Sequence, residues 1–127
     1  MRSVTIEEHF ASPGFLEGPG RGLKERALKV GGPAARLLEQ LCDLGDTRIS
    51  EMDAAQIDMQ ILSLTSPGAE QLEAAEAAQF AKETNDYLAD AVRSHPSRFG
   101  GFASLPTADP NAAAAELERT IHNYGFK

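Results

Sequence analysis

The sequence predicts an α/β fold of parallel strands joined by crossover helices. Three observations predict it. Short β-branched or apolar runs alternate with stretches of helical periodicity along the chain. Gly, Pro, Ser or Asp clusters punctuate the junctions. The length, 127 residues with 42% apolar and 24% charged content, suits one globular domain and excludes both wholesale disorder and two ordinary domains. No apolar run approaches the roughly 20 residues that span a bilayer. A net charge of −7 with no basic stripe excludes a nucleic-acid surface. The N-terminus shows no apolar signal segment, and a single cysteine, Cys42, excludes a disulfide framework. A cytoplasmic protein with a reduced thiol, no membrane contact and no nucleic-acid partner is expected.

Val4–Phe10 reads as the first strand, closed by Ser12-Pro13-Gly14. Residues 11–22 read as loop, because Pro13, Gly14, Gly18, Pro19, Gly20 and Gly22 crowd them. From Leu23 to Leu44 the period is helical, with Leu37, Leu38, Leu41 and Leu44 on one face. Gly31-Gly32-Pro33 is expected to split this stretch in two, with Pro33 in a first turn. Asp46 is expected to cap a helix running to about Gln56. Met59–Thr65 reads as a mostly buried strand, and Ser66-Pro67 as the start of the next helical region, serine capping it. The helix from about Glu70 to Ser94 carries Phe80, Thr84, Tyr87, Leu88, Ala91 and Val92 on one stripe. His95-Pro96 ends it. Phe99–Leu105 is the third expected strand. Asp109-Pro110 then starts a helix with Ala114, Leu117, Ile121 and Tyr124 facing inward, and Gly125 stops it.

The first strand carries the chemistry. By simple alternation Val4 and Ile6 share one face, and Thr5, Glu7 and His9 share the other. Both faces of a parallel strand are ordinarily apolar. Here one face turns polar at the C-terminal end, where α/β folds place their sites. A carboxylate and an imidazole two residues apart can reach one hard-to-borderline divalent cation. The spacing alone fits equally the solvated end of an exposed strand. Glu8 points the other way. His95 lies on the opposite rim, and His122 lies off its helix's inward stripe, so neither completes a site. Cys42 reads as a small thiol beside Leu38 and Leu41. Gly18-Pro19-Gly20-Arg21-Gly22 lacks a phosphate-loop ending and reads as a flexible loop. Ser63, Thr65 and Ser66 close the second strand on the same rim as Glu7 and His9. They could hydrogen-bond a substrate, or Ser66 could do no more than cap a helix.

One ordered set of motifs resembles a known family. It comprises Glu7-Glu8-His9-Phe10, Asp46-Thr47-Arg48-Ile49 with Met52-Asp53, and Ile57-Asp58-Met59-Gln60-Ile61-Leu62-Ser63 running on to Gly68. Asn85-Asp86-Tyr87-Leu88, His95-Pro96-Ser97-Arg98-Phe99-Gly100-Gly101, Asp109-Pro110 and Tyr124-Gly125-Phe126 continue it. The set resembles the amidohydrolase-related metal-dependent decarboxylases, nearest the hydroxybenzoate type. The resemblance implies a (β/α)₈ barrel with one divalent metal ion, zinc or manganese. Glu7 and His9 would be two of its ligands, and later strands would supply the others. It implies non-oxidative decarboxylation of a small aromatic carboxylic acid, and a homo-oligomer. Such a barrel takes about 250 residues. Residues 1–127 are therefore expected to form the N-terminal part of the domain: three βα units, a helical insertion at about residues 20–45, and no activity alone. Hydrolysis of a lactone or amide on the same scaffold remains open. So does a non-catalytic, self-associating fragment, suggested by the open sheet edge and the leucine stripe.

Overall fold

A computed structural model describes all 127 residues. Its elements are β1 (Val4–Phe10), α1 (Pro13–Glu17), α2 (Arg21–Val30), α3 (Gly32–Cys42), α4 (Asp46–Ala54), β2 (Met59–Leu64), α5 (Ala74–Ser94), β3 (Phe99–Gly101) and α6 (Pro110–Tyr124). The strands form one parallel sheet in the order β1-β2-β3. These are three consecutive parallel βα units, as expected. No helix is long and apolar enough to cross a membrane.

The helices pack against one face of the sheet. Phe10, Leu62 and Phe99 from the strands meet Met52, Leu88, Ala89 and Phe126 there. A second cluster, Ala11, Phe15, Leu16, Ala27 and Leu38, lies under α1–α3 and joins the first through Leu64. The opposite sheet face is uncovered, leaving Val4 46% and Ile6 61% exposed.

Local chemistry explains most boundaries. Gly31 and Gly32 take φ of +68° and +51°, which breaks α2 from α3 without side-chain strain. Asp109 Oδ1 accepts from the N–H groups of Asn111 and Ala112, with Pro110 opening α6, and Gly125 closes it in the left-handed region.

Several expectations are corrected. The loop expected over 11–22 contains α1, because the Ser12 hydroxyl accepts from Phe15 N–H at 3.1 Å and Pro13 fits the first turn. The glycine run after it is a tight corner, since a Cβ on Gly20 would collide with the Phe15 ring. Leu37 is 57% exposed, and Leu44 lies beyond α3 and packs against the main core. Asp46 makes no side-chain cap. Asp43 instead accepts from the N–H groups of Gly45 and Arg48, at 2.8 and 3.0 Å. Ser66 caps nothing, because Gly68 at φ +62° interrupts any helix there and α5 begins at Ala74. The third strand ends at Gly101. After Phe102 the chain leaves β2, because Asn85 holds both the N–H and the C=O of Ser104, at 2.8 and 2.9 Å. Lys127 instead lends its backbone to the open side of β3, bonding Gly101 O and Ala103 N.

The inward face of α6 is also displaced. Glu116 and Thr120 are buried, while Ala114 is exposed and Ile121 is 44% exposed. That is a rotation of about 100°, one residue of helix. Its cause is polar. Glu116 accepts from Asn85 Nδ2 at 2.8 Å and from both Arg119 Nε and Nη2, at 2.8 and 2.7 Å. Arg119 also pairs with Asp86 at 2.8 Å, and Asp86 accepts from Lys82 Nζ and Tyr124 OH.

Burial alone would raise the Asp86 carboxyl. Hydrogen bonds from Lys82, Tyr124 and Arg119 outweigh it and pull the value from 3.8 down to about 2. A folded-state value below the unfolded one adds stability that is complete above 3.8 and disappears as pH falls toward about 2. Urea midpoints measured across that window should therefore fall with pH. Asp86→Asn should flatten the fall, and an unchanged slope would refute the assignment.

Candidate metal centre at the C-terminal rim of the sheet

In a parallel sheet all C-terminal strand ends lie on one rim, and β1 and β2 bring His9 and Ser63 together there. They are register partners, so their side chains leave the same face. The register shifts by one residue between Thr5 and Glu8, so that Ile6 and Glu7 together oppose Ile61. This β-bulge overturns simple alternation. Thr5 stays in phase with Gln60, and Glu8 and Phe10 with Leu62 and Leu64, all on the helix-covered face. Thr5 therefore does not share the His9 face. Bulges of this kind re-aim side chains next to sites. Glu7 and His9 are both exposed and border one cleft of about 320 Å³, alongside Glu8, Arg48, Glu51 and Gln60.

The His9 ring and backbone are both held. Its Nδ1 lies 3.0 Å from Ser63 Oγ, and that hydroxyl also reaches the Glu8 carbonyl at 3.4 Å. Its carbonyl accepts from Arg48 Nη2 at 2.9 Å. The same guanidinium donates to Gln40 O at 2.9 Å and to Gln60 Oε1 at 3.3 Å, tying β1 to α3 and β2. Burial pulls the Arg48 guanidinium below its ordinary value, while Glu8, Asp43 and Glu51 pull it back up. Sequence reasoning gave Arg48 no role. Its only signal was its place in the Asp46-Thr47-Arg48-Ile49 motif.

Thr65 follows β2 half-buried, its N–H bonded to Phe10 O, and Ser66 is exposed. A second depression of about 290 Å³ opens beside them, lined by Ser63, Pro67, Glu70, Phe102, Ser104 and Thr107 among others. His95 precedes β3 on the opposite rim and meets Phe99 edge-on at 5.7 Å. His122 is exposed on α6, and Cys42 is half-buried with its thiol value raised by burial.

The two donors, a carboxylate and an imidazole, suit a divalent cation. Glu7 offers an exposed carboxylate, and His9 a ring nitrogen, Nε2, not engaged by Ser63. No group of three or more His, Cys, Asp or Glu side chains in this chain could hold a metal ion by itself. A catalytic zinc site takes three protein ligands.

Comparison with known proteins places the chain among relatives. Over 97% of its length the chain is 38% identical to a γ-resorcylate decarboxylase from a Rhizobium species, covering 36% of that protein. Its fold superposes with a TM-score of 0.84 on a dihydroxybenzoic acid decarboxylase from a Polaromonas species, solved with manganese and 2-nitroresorcinol. That match is 35% identical and covers 99% of this chain and 37% of the other. The TM-score is 0.86 on 5-carboxyvanillate decarboxylase from Novosphingobium aromaticivorans, solved with manganese and a nitrobenzoic acid. Identity there is 34%, and coverage is 98% and 40%. The chain thus spans about a third of the length of the curated relatives it matches. A family model described as amidohydrolase matches residues 34–127. With that match over most of its length and the relatives' fold under it, the chain belongs to the amidohydrolase family.

Proposed function

We propose that this chain is the N-terminal part of a metal-dependent, non-oxidative decarboxylase of a small aromatic, hydroxybenzoate-like acid, and that residues 1–127 do not turn over alone. The observation that carries this is the Glu7/His9 pair, exposed beside a bulge at the C-terminal rim. The decarboxylase names of the relatives support the reaction, and manganese in two of the solved structures favours manganese over zinc. The helices at about residues 20–45 are read as an insertion after the first strand of a partial barrel domain.

In this reading Glu7 and His9 hold one divalent ion. When bound, that ion supplies Lewis-acid stabilisation of the substrate's carboxylate and ortho-hydroxyl. Ser63, in contact with His9, also lines the neighbouring depression, where Pro67 and Phe102 offer an apolar wall for a ring. The hydroxyls of Thr65 and Ser66, next along the chain, are read as further substrate contacts. The proton donor and remaining ligands belong to later strands of a longer barrel. In a longer barrel the later strands close over the sheet face that carries Val4 and Ile6, and copies of the protein associate through other surfaces. A cytoplasmic setting suits the single thiol.

Manganese titration of the purified chain, followed by electron paramagnetic resonance, tests the pair. Binding should be weak. It should fall in His9→Ala or Glu7→Ala by more than the roughly 10–100-fold typical of losing an outer partner. Unchanged binding in both variants would remove the pair from the metal, and metal-dependent carbon dioxide release from hydroxybenzoates would disprove inactivity. The family description keeps hydrolysis as a second reading. Lactone and amide substrates in the same assay separate the two, and light scattering on those samples should give a mass above the monomer.

A further inference from the structure

We infer that Ser63 is a positioning residue that holds the His9 ring in the tautomer protonated on Nδ1, so that the bare nitrogen offered to a cation is Nε2. This rests on the proposed reading of His9 as a ligand. A hydroxyl has one proton to give. The Ser63 hydroxyl has two neighbours, His9 Nδ1 at 3.0 Å and the Glu8 carbonyl at 3.4 Å. If it donates to Nδ1, the contact with the Glu8 oxygen is no hydrogen bond, because that oxygen can only accept. If it donates to the Glu8 carbonyl, its own oxygen is left to accept from Nδ1–H, and both contacts are hydrogen bonds. The second arrangement makes one bond more, and a net hydrogen bond contributes about 1 kcal/mol. The polarity of the chain is then fixed, from Nδ1–H through the hydroxyl to the Glu8 oxygen.

Two features of the fold hold this arrangement in place. The β1–β2 register sets Ser63 directly across from His9 on the uncovered sheet face. Arg48 pins the His9 carbonyl at 2.9 Å, so the main chain cannot turn the ring away without breaking a second contact. Imidazoles that ligate through one nitrogen hand the other nitrogen's proton to an oxygen in the same manner. The Ser63 hydroxyl is therefore spent on the protein. Its first task is to aim His9 rather than to touch substrate.

Long-range nitrogen–proton NMR of the metal-free 127-residue chain tests this, recorded about two pH units above the ordinary imidazole range. The His9 ring should show a protonated Nδ1 and a bare Nε2. Ser63→Ala should shift it toward the Nε2–H form that free imidazole side chains favour, while Ser63→Thr, which keeps the hydroxyl, should retain the original pattern. A wild-type ring protonated on Nε2 would overturn the inference, and so would an unshifted pattern in a Ser63→Ala chain whose amide spectrum shows a native fold. The wild-type spectrum decides the matter even if the alanine variant does not fold. Manganese added to the same samples reports the metal reading separately, through line broadening at His9. Ser63→Ala should weaken that binding by about 10–100-fold. An Nδ1–H ring without broadening would sustain the Ser63 contact and sink the ligand reading instead.

Discussion

Asn85→Ala should destabilise the chain by about 3–4 kcal/mol, seen as a lower urea midpoint at unchanged slope. Asn85 is 1% exposed, and its amide makes three bonds. It receives Ser104 N–H at 2.8 Å, and donates to Ser104 O at 2.9 Å and to Glu116 Oε1 at 2.8 Å. Alanine strands both Ser104 backbone groups and strips one donor from a buried carboxylate that Arg119 alone then holds. Unmade bonds to a buried charge cost more than neutral ones. Net stability of a domain is only about 5–15 kcal/mol, so the variant should be barely folded. Asn85→Asp separates charge from shape. It keeps the acceptor for Ser104 N–H but sets a second carboxylate against Glu116. Its defect should be largest near neutral pH and relieved in acid. A midpoint shift worth less than about 1 kcal/mol in the alanine variant would show that the clamp on Ser104 is incidental.

Phe126→Ala should cost about 3–5 kcal/mol, read from thermal or urea unfolding, although the residue stands next to the last. Its ring is 1% exposed and packs at 5.5 Å and 56° on Tyr124. It also fills space that a side chain at position 101 would take. A Cβ on Gly101 would lie 2.8 Å from Phe126 Cε1 and 2.9 Å from Leu88 Cδ2. Gly101→Ala alone should therefore destabilise by about 1–3 kcal/mol through overpacking. Combined with Phe126→Ala it should cost less than the sum, because the added methyl enters the cavity left by the ring. Strict additivity of the two would show that they do not share that space.

What the sequence showed and what it concealed divide along one physical line. Features decided within a few residues were legible: the glycine break before Pro33, the His95-Pro96 stop and the Asp109-Pro110 cap. Features decided by distant partners were not. The bulge exists only relative to β2, so alternation along β1 alone misplaced Thr5. The contacts of His9 with Arg48 and Ser63 join residues 39 and 54 apart. The phase of α6 went against its apolar pattern because Glu116 found Asn85 and Arg119, a tertiary network that no hydrophobic periodicity encodes. α1 hid behind Pro and Gly, which mark both loops and short capped helices.

The irregularity in β1 has a bearing on colloidal behaviour too. An outermost strand of seven residues with bare amides is the kind of template on which identical chains stack into fibres. A stacking neighbour needs evenly spaced donors and acceptors over its whole run. The extra residue at Ile6–Glu7 breaks that spacing in mid-strand and sharpens the local twist. That one unpaired residue thereby also makes the strand a poorer seed for amyloid.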